Sequence, residues 1–264
     1  MKKLVGALKL IRPVNCSMMG LAVIISELIA LNGTLTLKPA ALGFSVAFLS
    51  TAGTMALNDY YDLEIDLINE PSRPIPSGLI APKEALTCAL VCASSGILAS
   101  AMINVQALAI AILATMLMVY YNAKGKKTGL SGSFVVSACV ALPFIFGGYA
   151  AGNMKEILWV FALMAFFANT GREVVKGVVD VKGDSLKRVK TPAVLFGPRK
   201  ASLMATSFFI AAVALSLLPI LFGLVSIVFV PIVAVSDAGF VFLSFKLMKD
   251  PSTKNARKVK NKIL

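Results

Sequence analysis

The chain has 264 residues, of which 58% are hydrophobic and 15% charged, with a formal net charge of +13, four Cys, one Trp and no His. So little charge on so apolar a chain excludes an ordinary soluble domain and points to the membrane. The lack of His excludes an imidazole base and a Ser-His-Asp arrangement, and it disfavours zinc.

Four basic residues, Lys2, Lys3, Lys9 and Arg12, precede a first apolar span at roughly 14–34. Its lysine-flanked start is like that of a signal peptide, but the run is long and contains Glu27, so it reads as a retained span. Further spans follow at roughly 39–57, 85–103, 105–122, 132–152, 155–172, 202–221 and 223–246, eight in all. The third and fourth form a nearly continuous run from Leu86 to Tyr121, too long for one crossing, and a break is expected at Asn104-Val105-Gln106. Eight spans put both termini on one side. Every Lys and Arg except Lys38 and Lys155 then falls on that side, which the positive-inside rule makes cytoplasmic. Most of the net charge is thus topology and needs no nucleic-acid partner, with a share left for anionic substrates or anionic lipids.

The second and sixth connections, about 58–84 and 171–201, are long and lie on the charged side, so function should concentrate there. The first carries Asn58-Asp59-Tyr60-Tyr61-Asp62-Leu63-Glu64-Ile65-Asp66. On a helix continuing the second span, Asn58, Asp62 and Asp66 form one stripe, with neighbours about 5–6 Å apart. Pro71, Pro74 and Pro76 end that helix, and Pro82 suits the first turn of the next. The fourth connection is short and basic, Lys124-Gly125-Lys126-Lys127. The sixth carries Asp180-Val181-Lys182-Gly183-Asp184, in which Gly183 loosens any helix.

The two acidic runs correspond. Asp62, Asp66 and Pro74 recur as Asp180, Asp184 and Pro192 at one offset, and at an offset two residues shorter Pro82-Lys83 and Ala85 recur as Pro198-Arg199 and Ala201. The chain reads as a single domain over 1–264, built from two parallel four-span halves at about 14–122 and 132–246. Carboxylates one turn apart repel unless a cation lies between them. Two such sets suit magnesium and a diphosphate, because magnesium takes oxygen ligands and retains phosphate oxygens and water. Arg73, Lys126, Arg172 and Lys176 lie close by in sequence and are candidates to neutralise a departing diphosphate. Lys127 and Lys187 read as positive-inside decoration.

Cys16, Cys88, Cys92 and Cys139 lie in or at the edges of spans and read as packing residues; Cys88 and Cys92 are one helical turn apart and form no CxxC pair. Glu27 and Asp237 lie within spans, where an unpartnered charge costs about 3 kcal/mol, so each should face protein or water. They read as hydrogen-bonded or protonated packing residues, or as a proton path or substrate contact, and Asn169 is ambiguous in the same way. The Met and Phe residues read as packing and lipid-facing groups, some of them candidates to line a cavity for an apolar tail.

Asn58-x-x-x-Asp62-x-x-x-Asp66, the following Arg73-Pro74-Ile75-Pro76-Ser77-Gly78, and Asp180-x-x-x-Asp184 after the sixth span resemble the UbiA superfamily of intramembrane prenyltransferases. Within it, Gly171-Arg172-Glu173-Val174-Val175-Lys176 running into Asp180, with Lys126-Lys127-Thr128-Gly129-Leu130, most resembles the archaeal digeranylgeranylglyceryl phosphate synthases. The resemblance implies an all-α polytopic bundle around a central cavity. It also implies magnesium held by Asn58, Asp62, Asp66, Asp180 and Asp184. The implied reaction moves a geranylgeranyl group from geranylgeranyl diphosphate to the hydroxyl of geranylgeranylglyceryl phosphate, making the second ether bond of archaeal membrane lipid. Two departures stand out. Gly177 occupies a place where many relatives have Asp. The family usually has nine spans, whereas here a basic tail, Lys254 to Lys262, follows the eighth with no ninth hydrophobic run, which reads as a truncated sequence.

Two other readings remain open. One keeps the chemistry and changes the acceptor to an aromatic quinone precursor. Lys182, Lys187, Arg188 and Lys190 would suit a phosphate-bearing acceptor, though topology also explains them. The other is a cation transporter using the aspartates as an ion site; Glu27 and Asp237 fit it, but transporter sites lie near the midplane and these aspartates lie at span ends.

Overall fold

The computed structural model describes residues 2–186 and 189–263. Its regular structure is helical, with no strand among the described residues. Among the described residues, eight helices of 18–30 residues are long and apolar enough to cross a bilayer; at 1.5 Å per residue, about 20 residues span the hydrocarbon layer. The expected spans all appear, and most run further toward the charged loops than the apolar stretches alone indicate. The chain folds as two compact units, Met1–Ala123 with Leu142–Leu158, and Lys124–Ala141 with Trp159–Leu264.

In the first unit, α1 (Lys2–Ile11) is a short amphipathic helix that leads into α2 (Pro13–Ala30), α3 (Leu37–Tyr61), α4 (Leu63–Asn69), α5 (Pro82–Ala101) and α6 (Val105–Ala123). The end of α7 (Leu130–Ala150) and the start of α8 (Glu156–Val179) belong to it as well. Lipid gives no hydrophobic drive for helix pairing, so small residues allow the backbones to approach and gain dispersion. The contact of α3 with α5 works this way. A Cβ at Gly53 would lie 3.0 Å from the Ala89 carbonyl oxygen, and one at Gly96 would lie 3.0 Å from Ser50 Oγ. Ala52, Ala56, Ala85 and Ala89 are buried on the same two helices.

The break between α5 and α6 falls where expected. Asn104 Oδ1 caps α6 by accepting from the Ala107 N–H at 2.8 Å, and its Nδ2 donates to the Tyr149 and Ala150 carbonyls at the end of α7, at 2.9 and 3.3 Å. Glu27 is 3% exposed, its carboxyl packed where a Gly43 side chain would otherwise stand, so it faces protein.

In the second unit, α9 (Val181–Leu186) follows α8, and α10 (Pro192–Leu221) is interrupted at Gly197, whose φ of 82° and ψ of 163° are non-helical. Pro198 restarts the helix there, as Pro82 opens α5. The core joins Val174, Val175 and Val178 of α8, Ala201, Ala205 and Phe209 of α10, and Leu243 and Leu247 of α11 (Phe229–Lys249). Asp237 on α11 accepts a hydrogen bond from Ser216 Oγ at 2.6 Å. The basic tail is folded: α12 (Thr253–Lys260) buries Ala256 and Val259 in this core. Ser252 caps it, and the buried Asn255 Nδ2 donates to the Lys246 and Asp250 carbonyls where α11 ends, at 3.0 and 2.6 Å.

Candidate active site

The first acidic run sits where α3 gives way to α4. Asp62 ends one helix and starts the other with φ −89° and ψ 2°, so the continuous helix expected through Asp66 is interrupted. The stripe nevertheless survives. The Asp62 N–H donates to the Asn58 carbonyl at 3.0 Å, and the Asp66 N–H to the Asp62 carbonyl at 2.8 Å, so the i, i+4 spacing persists through the break. Asn58 Nδ2 donates to Asp62 Oδ2 at 3.0 Å.

Arg73 enters from the loop after α4. Its Nη1 donates to Asp66 Oδ2 at 2.6 Å and lies 3.6 Å from Asp59 Oδ1. The loop is fixed by its own turn bonds, Ser77 N–H to Arg73 carbonyl and Ile80 N–H to Pro74 carbonyl, each 3.0 Å. Gly78 turns the chain with φ 72°. Ile75 and Ile80 bury against Leu10 of α1, Ala56 of α3 and Ala85 of α5, so apolar packing aims the guanidinium. Burial pushes the Asp66 carboxyl above its ordinary pKa; the Arg73 hydrogen bond and charge oppose the shift, and the Asp62 and Asp59 charges add to it.

Two residues here escaped sequence reasoning. Asp59, 1% exposed, accepts from Arg12 Nη2 at 2.7 Å. Arg12 joins α1 to α2 and holds a left-handed backbone, φ 52° and ψ 70°, which is uncommon for a side-chain-bearing residue. A signal for Asp59 existed: it follows Ala52 and Ala56 on one helical face, and a charge on a small-residue packing face needs a buried partner.

The second acidic run repeats the local geometry within the other unit. The Asp180 N–H donates to the Lys176 carbonyl at 3.0 Å, and the Asp184 N–H to the Asp180 carbonyl at 2.9 Å. Asp180 is exposed and Asp184 half-buried. Arg172 and Lys176 share Glu173: Arg172 Nη1 is 3.4 Å from Oε1 and Lys176 Nζ is 3.5 Å from Oε2. Glu173 therefore lies beside both cations, a place its helical spacing allows. Arg172 Nε is buried without a hydrogen-bond partner. Lys126 lies half-buried on the 3-10 turn Gly125–Thr128, with Lys124 and Lys127 exposed beside it. Gly129 closes that turn against the Lys190 carbonyl. A Cβ at Gly177 would make ordinary contact with Thr191 at 3.4 Å. Lys182 and Lys190 are exposed; Lys187 and Arg188 lie outside the described residues.

The side chains of both runs are hard oxygen donors, suited to magnesium or a similar divalent ion. Among the described residues no three acidic, His or Cys side chains already form a closed metal cage. A cation held here would complete its shell with water and ligand oxygens, the habit of magnesium on phosphates.

A sequence profile of the UbiA prenyltransferase family matches residues 19–264. The chain belongs to the UbiA prenyltransferase family. Among its relatives, the digeranylgeranylglyceryl phosphate synthase of Methanopyrus kandleri is 41% identical over 218 residues, covering 83% of this chain and 79% of that protein. The enzyme of the same name from Thermococcus kodakarensis is 33% identical over 253 residues, covering 95% and 90%. A solved structure concerning digeranylgeranylglyceryl phosphate synthase in membranes is 33% identical, covers 100% of this chain and 94% of its own, and superposes with a TM-score of 0.83. A UbiA homologue from Archaeoglobus fulgidus, bound to GPP and Mg2+, shares the fold with a TM-score of 0.78 at 19% identity, covering 98% of this chain and 96% of its own. The eight-span helical architecture is thus that of a UbiA multi-pass membrane prenyltransferase.

Proposed function

We propose that this chain transfers the geranylgeranyl group of geranylgeranyl diphosphate to the free hydroxyl of geranylgeranylglyceryl phosphate, forming the second ether bond of archaeal membrane lipid. The observation that carries this reading is the whole-chain likeness, at 33% identity and a TM-score of 0.83, to a structure of digeranylgeranylglyceryl phosphate synthase.

In this reading Asn58, Asp62, Asp66, Asp180 and Asp184 hold magnesium with the donor's diphosphate, and Arg73, Lys126, Arg172 and Lys176 contact that diphosphate. Magnesium, when bound, neutralises the diphosphate and makes it a better leaving group. The chain's cations hold the charge that grows on the departing oxygen, which lowers the barrier only so far as they bind it better than the ground state. The allylic carbon–oxygen bond to the diphosphate breaks, the bond from that carbon to the acceptor oxygen forms, and the acceptor hydroxyl gives up its proton to the released diphosphate or to water. An electrophile of this kind needs no strong base, in keeping with a chain that has no His. The apolar spans shield it from water. The charge asymmetry of the loops supports a cytoplasmic site, since only Lys38 and Lys155 among the Lys and Arg fall opposite.

Purified protein given geranylgeranyl diphosphate and magnesium should release diphosphate with geranylgeranylglyceryl phosphate and not with 4-hydroxybenzoate. Release with 4-hydroxybenzoate alone would replace the lipid acceptor by an aromatic one. No release with either would overturn prenyl transfer and return the cation-transporter reading.

A further inference from the structure

Asp59 is the most enclosed charge of the first unit's site, and it is only half used. Its Oδ1 takes the Arg12 guanidinium at 2.7 Å, while its Oδ2 is buried with no hydrogen-bond partner. An unsatisfied buried carboxylate oxygen is costly, and its persistence calls for a state in which it is satisfied. A charged donor beside this carboxylate is Arg73. Its Nη1 stands 2.6 Å from Asp66 Oδ2 and 3.6 Å from Asp59 Oδ1, hydrogen-bonded to the first carboxylate and just outside hydrogen-bond reach of the second. Arg73 is 30% exposed and lies on a loop, so a shift of about 1 Å at its tip needs no movement of a helix.

Asp66 and Arg73 are mutually dependent in this state. The Asp66 side chain, 5% exposed, sits one turn from Asp62 and is relieved by the Arg73 charge. A divalent cation seated on Asp66 would displace the guanidinium from that oxygen. A guanidinium cannot lose its proton, so it stays charged and is held best by a neighbouring anion. Asp59 is that anion: buried, already next to Arg73, and holding an acceptor oxygen in reserve.

We propose that Asp59 is a positioning residue that takes over Arg73 from Asp66 when the metal–diphosphate binds, with Arg73 as the resident counter-ion that the metal replaces. The inference rests on the reading that Asp66 holds the cation, and is independent of which acceptor is used. Arg12 keeps Asp59 in place, and the handover brings Arg73 the remaining distance onto the same carboxylate, whose second oxygen gives it acceptor capacity beyond the Arg12 bond. Once moved, Arg73 keeps its remaining N–H groups for the diphosphate.

The test is binding of Mn2+, read by electron paramagnetic resonance on the purified full chain without turnover, with and without inorganic diphosphate. Asp59→Asn keeps the side chain's size and removes the charge; it should weaken Mn2+ binding about tenfold, because Arg73 then has Asp66 as its sole carboxylate. Arg73→Gln should bind Mn2+ at least as tightly as the unaltered chain when diphosphate is absent. In the double variant the Asp59→Asn effect should vanish, since there is no guanidinium left to move. Equal weakening by Asp59→Asn with and without Arg73 would overturn the handover. So would a lowered melting temperature with unchanged Mn2+ binding, the mark of a purely structural Asp59. Should Asp59→Asn fail to fold, weaker Mn2+ binding by Arg73→Gln without diphosphate overturns the proposal on its own. If Asp66→Asn binds Mn2+ as well as the unaltered chain, the metal assignment itself falls and the handover with it, an outcome separable from the others.

Discussion

Gly129 offers a sharp perturbation of the basic turn that carries Lys126. Its φ of 67° and ψ of −118° lie where only glycine sits without strain. A Cβ added there would meet the Lys190 carbonyl oxygen at 1.8 Å and the Thr191 nitrogen at 3.1 Å. Gly129→Ala therefore brings about 1–3 kcal/mol of backbone strain. It also forces a separation from 1.8 Å toward the 3.4 Å of ordinary contact, a movement of roughly 1.6 Å in backbone that cannot swing aside like a side chain. Either the turn with Lys126 moves, or the segment after α9 does. Displacing a substrate-positioning group by about 1 Å costs on the order of 100-fold in rate. Diphosphate release from geranylgeranyl diphosphate should thus lose about 100-fold in kcat/KM, while the melting temperature in detergent falls by roughly 2–10 °C. Gly183→Ala is the control. Nothing lies within 4 Å of its added Cβ and it sits inside α9, so activity should hold and α9 should gain about 0.5–1 kcal/mol. The reasoning fails if Gly129→Ala keeps kcat/KM within about threefold of the unaltered chain, or if its activity falls only in proportion to the folded fraction.

Changing Asp62, Asp66, Asp180 or Asp184 singly to Ala should lower turnover by orders of magnitude while the protein still inserts; near-normal diphosphate release by Asp62→Ala and Asp180→Ala at limiting magnesium would sink the metal assignment. A donor fluorinated near the allylic carbon should react orders of magnitude more slowly in single turnover, because fluorine destabilises positive charge there; a rate close to that of the natural donor would favour concerted displacement with Asp66 or Glu64 as base. Asn104→Ala loses both the α6 cap and the bridge to α7 and should destabilise by about 2 kcal/mol. Asn104→Ser keeps a cap and should lose about half as much, and equal melting temperatures for the two would remove the bridge from the account. In a cysteine-free background, single cysteines at residues 68 and 186 should label from one side and a cysteine at 154 from the other; labelling of 68 and 154 together would contradict the orientation of the spans.

The eight spans were legible because bilayer thickness imposes a run length of about 20 apolar residues. The split of the Leu86–Tyr121 run was legible for the same reason, and Asn104 supplied the cap where it fell. The stripe of Asn58, Asp62 and Asp66 followed from helical periodicity and outlasted the break at Asp62, because the backbone bonds on either side keep the spacing. Membership of the UbiA family lay in the same short motifs, whose residue types and spacing are local properties of the chain.

Which cation serves which carboxylate was another matter. Sequence placed Arg73 beside the acids but gave no means of choosing Asp66 over Asp62 as its partner. Arg12 and Asp59 meet only because α1, the loop through Ile75 and Ile80, and the close pairing of α3 with α5 converge on one apolar cluster. The contacts of Glu173 with Arg172 and Lys176 are local to α8, by contrast, whereas the basic tail packs as α12 through Ala256 and Val259 entering a core built from three other helices. Periodicity and hydropathy are read along one chain, so they determined the spans and the spacing of the acids, though not how far the helices run past the apolar stretches. Ion pairing depends on distances of a few ångströms between segments far apart in sequence, and those distances were decided by how closely the small residues let the helices pack.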